Sequence, residues 1–286
     1  MKKNAEKIIH GIFLVIGLIS IAFVILITIY LIASGIPGIR KIGLINFLFG
    51  KEWKSTGTNA TYGILPFILT SVYGTAGAVV IGTPIGFFTA VYLAKFAPNW
   101  IRKIMEAAVG LLAGIPSVVY GLVGMLVLVP AIRRIFNVPD GTGLFASMIV
   151  LAIMILPSII KISLNALRNV PKEYETASLA LGAGEVETYF RVSVPAAKSG
   201  IATSIVLGVG RAIGEAMAVM MVSGNVANMP GLFKSVRFLT TAVASEMSYS
   251  SGLQREALFS VALVLFLFIM LINACLNYFI KGRKGK

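Results

Sequence analysis

Cysteine and histidine are almost missing from this chain: Cys275 and His10 stand alone among 286 residues. A disulfide framework needs cysteines in pairs, and a clustered metal site needs three or four ligands, so both are excluded. Cys275 falls in the last apolar run and reads as a small hydrophobe. His10 borders the first run. Charge is scarce as well, at 13% of residues where soluble domains carry about 25%. Acids number only 11 against 25 lysines and arginines. The resulting charge of +14 does not point to nucleic acid, because the basic residues lie between apolar runs and form no basic domain. No Gly-x4-Gly-Lys-Ser/Thr phosphate loop occurs. No His, Cys, Asp or Glu cluster falls within the apolar runs, which argues against a membrane-embedded enzyme.

What is abundant is apolar side chain, 57% of the chain. A soluble fold of this length has no interior large enough to hide it. Lipid does. Six runs are long enough to cross a bilayer, at about 9–33, 66–94, 104–129, 144–161, 200–223 and 257–280. Backbone amides in hydrocarbon must be satisfied within the segment, so each run is expected to be a helix. The ten-residue alternating segments of a β-barrel are absent. Met1-Lys2-Lys3 followed by an apolar run looks like a secretory signal, but Ile12 to Ala33 is about twice a signal core, so it reads as a retained first helix. Residues 34–62, with Gly, Pro and Trp53, read as a folded outer loop. With the N-terminus in the cytoplasm, fifteen basic residues, from Lys2 to Lys286, fall inside and nine fall outside. That bias places both termini inside. The expected organisation is a first helix and outer loop over 1–63, then a five-helix core over 64–286.

Two places stand out. The first is the inner loop 161–199, 39 residues long. Asn169 and Pro171 suit a helix start, Glu173 and Glu175 sit where the helix dipole favours acids, and Gly182 can end that helix. A second short helix is expected over about 185–191, stopped by Pro195. Apolar residues on so short a pair imply a partner surface. An interfacial hairpin on lipid headgroups fits less well, since Glu173, Glu175, Glu185 and Glu187 would face an anionic leaflet.

The second place is the fifth run, Gly208-Val-Gly210-Arg211-Ala-Ile-Gly214-Glu215. Arg211 and Glu215 are the ionisable residues deep inside a span, and each costs about 2.5–3.5 kcal/mol at a helix centre. Their i, i+4 spacing would let them meet on one helix face, and Gly210 and Gly214 would admit another helix closely. A buried pair that only locks two helices is one reading. A substrate pathway explains the expense better, and the planar fork of arginine suits a tetrahedral oxyanion. Ser117, following the Gly114-Ile115-Pro116 break, is a further polar candidate on that path.

Gly182 followed thirteen residues later by Pro195, with Val192 and Val194 before it, resembles the cytoplasmic loop of binding-protein-dependent ABC-importer permeases. Aligned on the glycine, Thr176-Ala177-Ser178 stand where that family has Glu-Ala-Ala, with Glu175 displaced by one. Gly-Arg-Ala-Ile-Gly-Glu at 210–215, Ile-Pro-Ser-Val-Val-Tyr-Gly at 115–121 and the stretch Asn46–Trp53 resemble phosphate-importer permeases of the PstC type. The resemblance implies an all-α type I permease bundle in a bacterial inner membrane. It also implies a second related permease, an ATPase dimer that carries ATP and magnesium, and an external phosphate-binding protein. No cofactor or metal would be held by this chain, and catalysis would lie elsewhere. Glu175, Thr176, Ala177, Ser178, Gly182 and Pro195 would couple to the ATPase, Arg211 would contact phosphate, and Glu215 would orient it. Importers of phosphonate, sulfate or molybdate are the nearest rivals, and an ATP-independent anion transporter is a more distant one.

Overall fold

The computed structural model describes residues 2–55 and 60–282, so Arg283, Lys284 and Lys286 of the charge asymmetry lie outside it. The elements in order are α1 (Lys2–Ile42), α2 (Leu44–Phe49), β1 (Trp53–Lys54), β2 (Thr61–Tyr62) and α3 (Leu65–Phe96). Next come α4 (Asn99–Gly114), α5 (Ser117–Ile135), α6 (Leu144–Arg168), α7 (Lys172–Ala180) and α8 (Glu185–Ala196). The chain closes with α9 (Lys198–Gly214), α10 (Met217–Val222), α11 (Leu239–Glu246) and α12 (Gly252–Gly282).

Packing contacts fix the direction of each crossing. A Cβ on Gly77, Gly82 or Gly86 of α3 would meet Met148, Ile155 or Ile159 of α6 in the same order, so α3 and α6 run parallel. Gly200 and Gly208 of α9 face Ala166 and Ile159 in the reverse order, so α9 runs against them. Gly35 and Gly38 of α1 meet Leu263 and Ser260 of α12, and the Ser260 hydroxyl donates to the Gly35 carbonyl at 2.6 Å. That pair is antiparallel. Among the described residues five helices are long and apolar enough to cross a membrane, and the bent pair α8–α9 counted as one span makes six. The start of α1, the end of α12 and the α7–α8 segment share one end of the bundle.

Several expected boundaries are corrected. α1 continues to Ile42, through the segment read as a loop, because its small-residue face keeps packing on α12. α6 runs through Pro157 to Arg168. One missing hydrogen bond does not end a helix whose neighbours on α3 and α9 hold it. The third and fifth runs are each broken, at Ile115-Pro116 and at Glu215-Ala216. The second loop helix also passes the proline meant to stop it. A π turn over Tyr189–Ser193 precedes Pro195, and α8 ends one residue later, at Ala196.

The core is layered along the bundle. Ile155 and Ile159, nearly inaccessible, sit between the glycine faces of α3 and α9 at mid-height. At the loop end Leu93, Val109, Leu164 and Tyr189 pack together. At the opposite end Phe47, Trp53, Tyr62, Phe67 and Leu258 form the cluster. There Arg237 pairs with Glu246, and Glu246 also accepts from Trp53 Nε1 at 3.2 Å and Gln254 Nε2 at 3.0 Å. Arg237 further donates to the carbonyl of Asn225 and lies 5.9 Å above the Phe67 ring. By contrast, the apolar side chains of α1 from Ile9 to Tyr30 are exposed, a surface suited only to hydrocarbon.

Candidate functional site

The two helix breaks have the same local form. Pro116 removes an amide donor and pushes Ile115 out of the helical region, to φ −69° and ψ 128°. The Leu112 carbonyl at the end of α4 accepts the Ile115 amide at 3.3 Å and also the Tyr120 hydroxyl at 2.7 Å. Glu215 adopts φ −74° and ψ 129° with no proline to force it. Its carboxylate instead accepts the amide of Ala218 at 3.0 Å, capping α10, while its own carbonyl accepts the Thr240 hydroxyl at 2.8 Å. An acid at a helix start satisfies orphan amides and matches the dipole, so Glu215 favours the break over a continuous helix. The two second halves then pack face to face. A Cβ on Gly121 of α5 would lie 2.8 Å from the Cα of Ala218 on α10.

This geometry overturns the expected Arg211–Glu215 pair. Glu215 has left the helix, and none of the six ion pairs among the described residues includes either residue. Arg211 is half-buried in the last turn of α9, where the carbonyl end of the helix favours a cation. No hydrogen bond to its guanidinium occurs among the described residues. Ser117 opens α5, half-buried, just after the other break. A free guanidinium beside two interrupted helices can receive an anion without first breaking an internal bond. The glycine prediction is corrected too. A Cβ on Gly214 would meet nothing within 4 Å in this chain, and one on Gly210 only Asn273 Oδ1 at 4.0 Å. The close approaches in α9 belong to Gly200, whose Cβ would collide with that of Ala166, and Gly208, whose Cβ would lie 3.3 Å from Ile159.

At the loop end, α7 closes as the sequence suggests. Gly182 has φ +90°, a region open to glycine, and its amide donates to the Leu179 carbonyl at 2.9 Å. The Ala183 amide reaches back to Ser178 at 3.3 Å, and the pair of bonds forms a Schellman cap. The Ala177 carbonyl accepts from Leu181, the Thr176 hydroxyl donates to the Glu173 carbonyl, and Ser178 Oγ bonds Thr188 Oγ1 at 2.9 Å. Glu175 faces inward: Lys95 Nζ donates at 2.9 Å and Ser193 Oγ at 2.8 Å. The Lys95 bond holds its carboxyl below the usual value of 4.5, against burial, with Ser193 adding to the effect. Burial, then the Glu175 charge, pushes the Tyr189 phenol up to about 12. Tyr174, Leu179, Leu181, Val186 and Phe190 remain exposed on this segment.

Sequence reasoning missed Lys95, Ser193, Thr188, Tyr120 and the Arg237–Glu246 pair. A basic residue ending an apolar run is a weak signal for Lys95. Nothing in the sequence links it to an acid 80 positions away.

Residues 82–284 match the family of binding-protein-dependent transport system inner membrane components. The probable ABC transporter permease protein YqgH of Bacillus subtilis (strain 168) is 40% identical over 266 residues, covering 90% of this chain and 86% of that protein. The phosphate transport system permease protein PstC of Pasteurella multocida (strain Pm70) is 32% identical, covering 84% and 82%. Among solved structures, a bacterial alginate ABC transporter in complex with an alginate pentasaccharide-bound periplasmic protein aligns with TM-score 0.62 at 15% identity, covering 93% of this chain and 90% of that one. A MetNI methionine ABC transporter aligns with TM-score 0.57 at 19% identity, over 77% and 94%. The two structural likenesses speak for the fold. An all-α membrane bundle with six crossings, a helical loop between α6 and α9 and this family match has one reading: the chain belongs to the binding-protein-dependent transport system inner membrane components and is a permease subunit of an ABC importer.

Proposed function

We propose that this permease subunit carries inorganic phosphate inward by alternating access, with Arg211 as its anion contact. The observation that carries the reading is the half-buried Arg211 guanidinium, free of protein partners among the described residues and set between two broken helices. A permanently charged planar donor recognises an oxyanion over a wide pH range, and at this depth an unpaired charge is costly unless function retains it. The phosphate transport permeases among the relatives support the choice of anion. Ser117, at the start of α5, adds a hydroxyl donor near the same height. Glu215 holds the break open and does not orient the arginine.

Import would require a second, related permease, an external binding protein that delivers phosphate, and an ATPase dimer that holds ATP and magnesium. The α7–α8 segment would face the cytoplasm and seat its exposed Tyr174, Leu179, Leu181, Val186 and Phe190 in a groove of the ATPase. Both chain termini would then be cytoplasmic. Leu181, 89% exposed, gives the topology test. In a Cys275→Ser background expressed without the ATPase, Leu181→Cys should react with an impermeant thiol reagent only after the membrane is opened. Labelling of sealed right-side-out cells would reverse the orientation. For the substrate, the complex with its binding protein should accumulate radiolabelled phosphate in vesicles in an ATP-dependent manner, undiminished by excess sulfate, molybdate or phosphonate. Uptake abolished by one of those anions, or indifferent to ATP, would sink the proposal. Arg211→Lys should lower uptake while the complex still assembles.

A further inference from the structure

We propose that the Lys95–Glu175 ion pair is the strut through which α7 moves the membrane spans, beside the packing of α8 Tyr189 on Leu93 and Leu164, with Glu175 a positioning residue that does not touch the ATPase. The inference rests on the reading that this segment docks on the ATPase. α7 has no buried residue, and its apolar side chains Tyr174 and Leu179 point away from the bundle. Packing therefore does not hold it. Its side-chain bonds to the rest of the protein are those of Glu175 and Ser178, and Ser178 reaches only Thr188 within the same loop. Glu175 alone reaches a span. One carboxylate oxygen takes Lys95 Nζ at 2.9 Å, and the other takes Ser193 Oγ at 2.8 Å. Both charged side chains are mostly shielded, 30% and 22% exposed, and Ser193 is fully buried.

Lys95 lies in a π turn, Tyr92–Phe96, that ends α3. Such turns re-aim side chains at functional positions. From there the contacts continue as solid packing: Gly82 and Gly86 of α3 against Ile155 and Ile159 of α6, and those isoleucines against Gly208 of α9. Arg211 sits one turn further along α9. Displacement of α7 by a docked partner thus reaches α3 directly through the ion pair, and the anion contact through three close-packed helices, whereas the Ser193 bond passes it to α8. Close-packed elements transmit displacement because they cannot compress.

The test uses the intact complex with its binding protein in liposomes, reading radiolabelled phosphate transported per ATP hydrolysed, with wild type as reference. Glu175→Gln and Lys95→Met should keep the ATPase bound in pull-downs and keep hydrolysing ATP, while transport per ATP falls about tenfold, as loss of one charge-assisted bond predicts. The reversed pair, Lys95→Glu with Glu175→Lys, should restore coupling to within about twofold of wild type, which a merely structural role would not require. Unchanged coupling in Glu175→Gln, release of the ATPase by it, or a reversed pair that assembles but stays uncoupled would each overturn the strut. Leu181→Arg separates the two levels. Leu181 is 89% exposed and its φ of −81° accepts any side chain, so the change leaves α7 intact but should release the ATPase. If that variant keeps the ATPase bound, the docking reading itself falls. If it releases the ATPase while Glu175→Gln stays fully coupled, only the strut falls.

Discussion

Replacing Arg211 by methionine should stabilise the protein and abolish its transport, and the two effects come from the same observation. A charged residue at a helix centre costs about 2.5–3.5 kcal/mol on insertion scales. Its place in the last turn of α9 returns about 0.3–1 kcal/mol through the helix dipole. Half-burial lowers the penalty further. No ion pair among the described residues is lost, because none of the six involves Arg211. Nor is a carboxylate stranded, because Glu215 is already held by the Ala218 amide. Methionine fills the volume of the aliphatic stem. The net expectation for Arg211→Met is a gain of about 1–2 kcal/mol in reversible unfolding in mixed micelles. Uptake of radiolabelled phosphate should fall by about 10- to 100-fold, the worth of one charge-assisted contact. Arg211→Lys should sit between the two, with the charge kept and the fork lost. A loss of stability beyond about 1 kcal/mol, well outside the scatter of neutral surface changes, would show that Arg211 is a packing device. Wild-type uptake in a folded Arg211→Met complex would end the anion-contact reading.

Other outcomes follow from the packing. Gly121→Leu drives a side chain into the backbone of Ala218, which cannot yield, and should cost about 1–3 kcal/mol or prevent assembly; Gly114→Ala, with nothing within 4 Å, is the matched control and should melt within a degree or so of wild type. Arg237→Met removes one partner of a pair whose side chains are 15% and 18% exposed, for a loss near 3 kcal/mol, the low end for such pairs because Glu246 keeps Trp53 and Gln254. Intrinsic Trp fluorescence should shift in that variant, and an unchanged melt would show the network to be idle. The lowered pKa of Glu175 gives stability that is complete above its ordinary value of 4.5 and lost as pH falls through its lower folded value. Hydrogen exchange across 172–196 should therefore stay slow at pH 5 and quicken only below 4.5; quickening already between pH 6 and 5 would contradict the pairing with Lys95.

The membrane class, the number of crossings and the helical loop were legible in the sequence because each has a one-dimensional cause. An apolar run in hydrocarbon can only be helix, and the proline, acid and glycine positions of 171–182 spell out a short capped helix wherever it sits. Arg211 and Glu215 stood out for the same reason, since a charge inside an apolar run is conspicuous without coordinates. What joined them did not. Periodicity assumed an unbroken helix through Glu215 and put both charges on one face. The break depends on the Ala218 amide and the Thr240 hydroxyl, 25 residues away from Glu215 in the latter case. Glycine spacing at 210 and 214 suggested a contact that the packing of this chain assigns to Gly200 and Gly208, because facing is set by the rotation of α9 against α6. The partners of Glu175 and Glu246 are likewise distant in sequence, Lys95 by 80 positions and Trp53 by 193. Sequence pattern sets which segments enter the membrane, since that depends on transfer free energy summed over neighbours. Only the packed structure decides where a helix breaks and whom a charge meets, since those depend on groups brought together from different crossings.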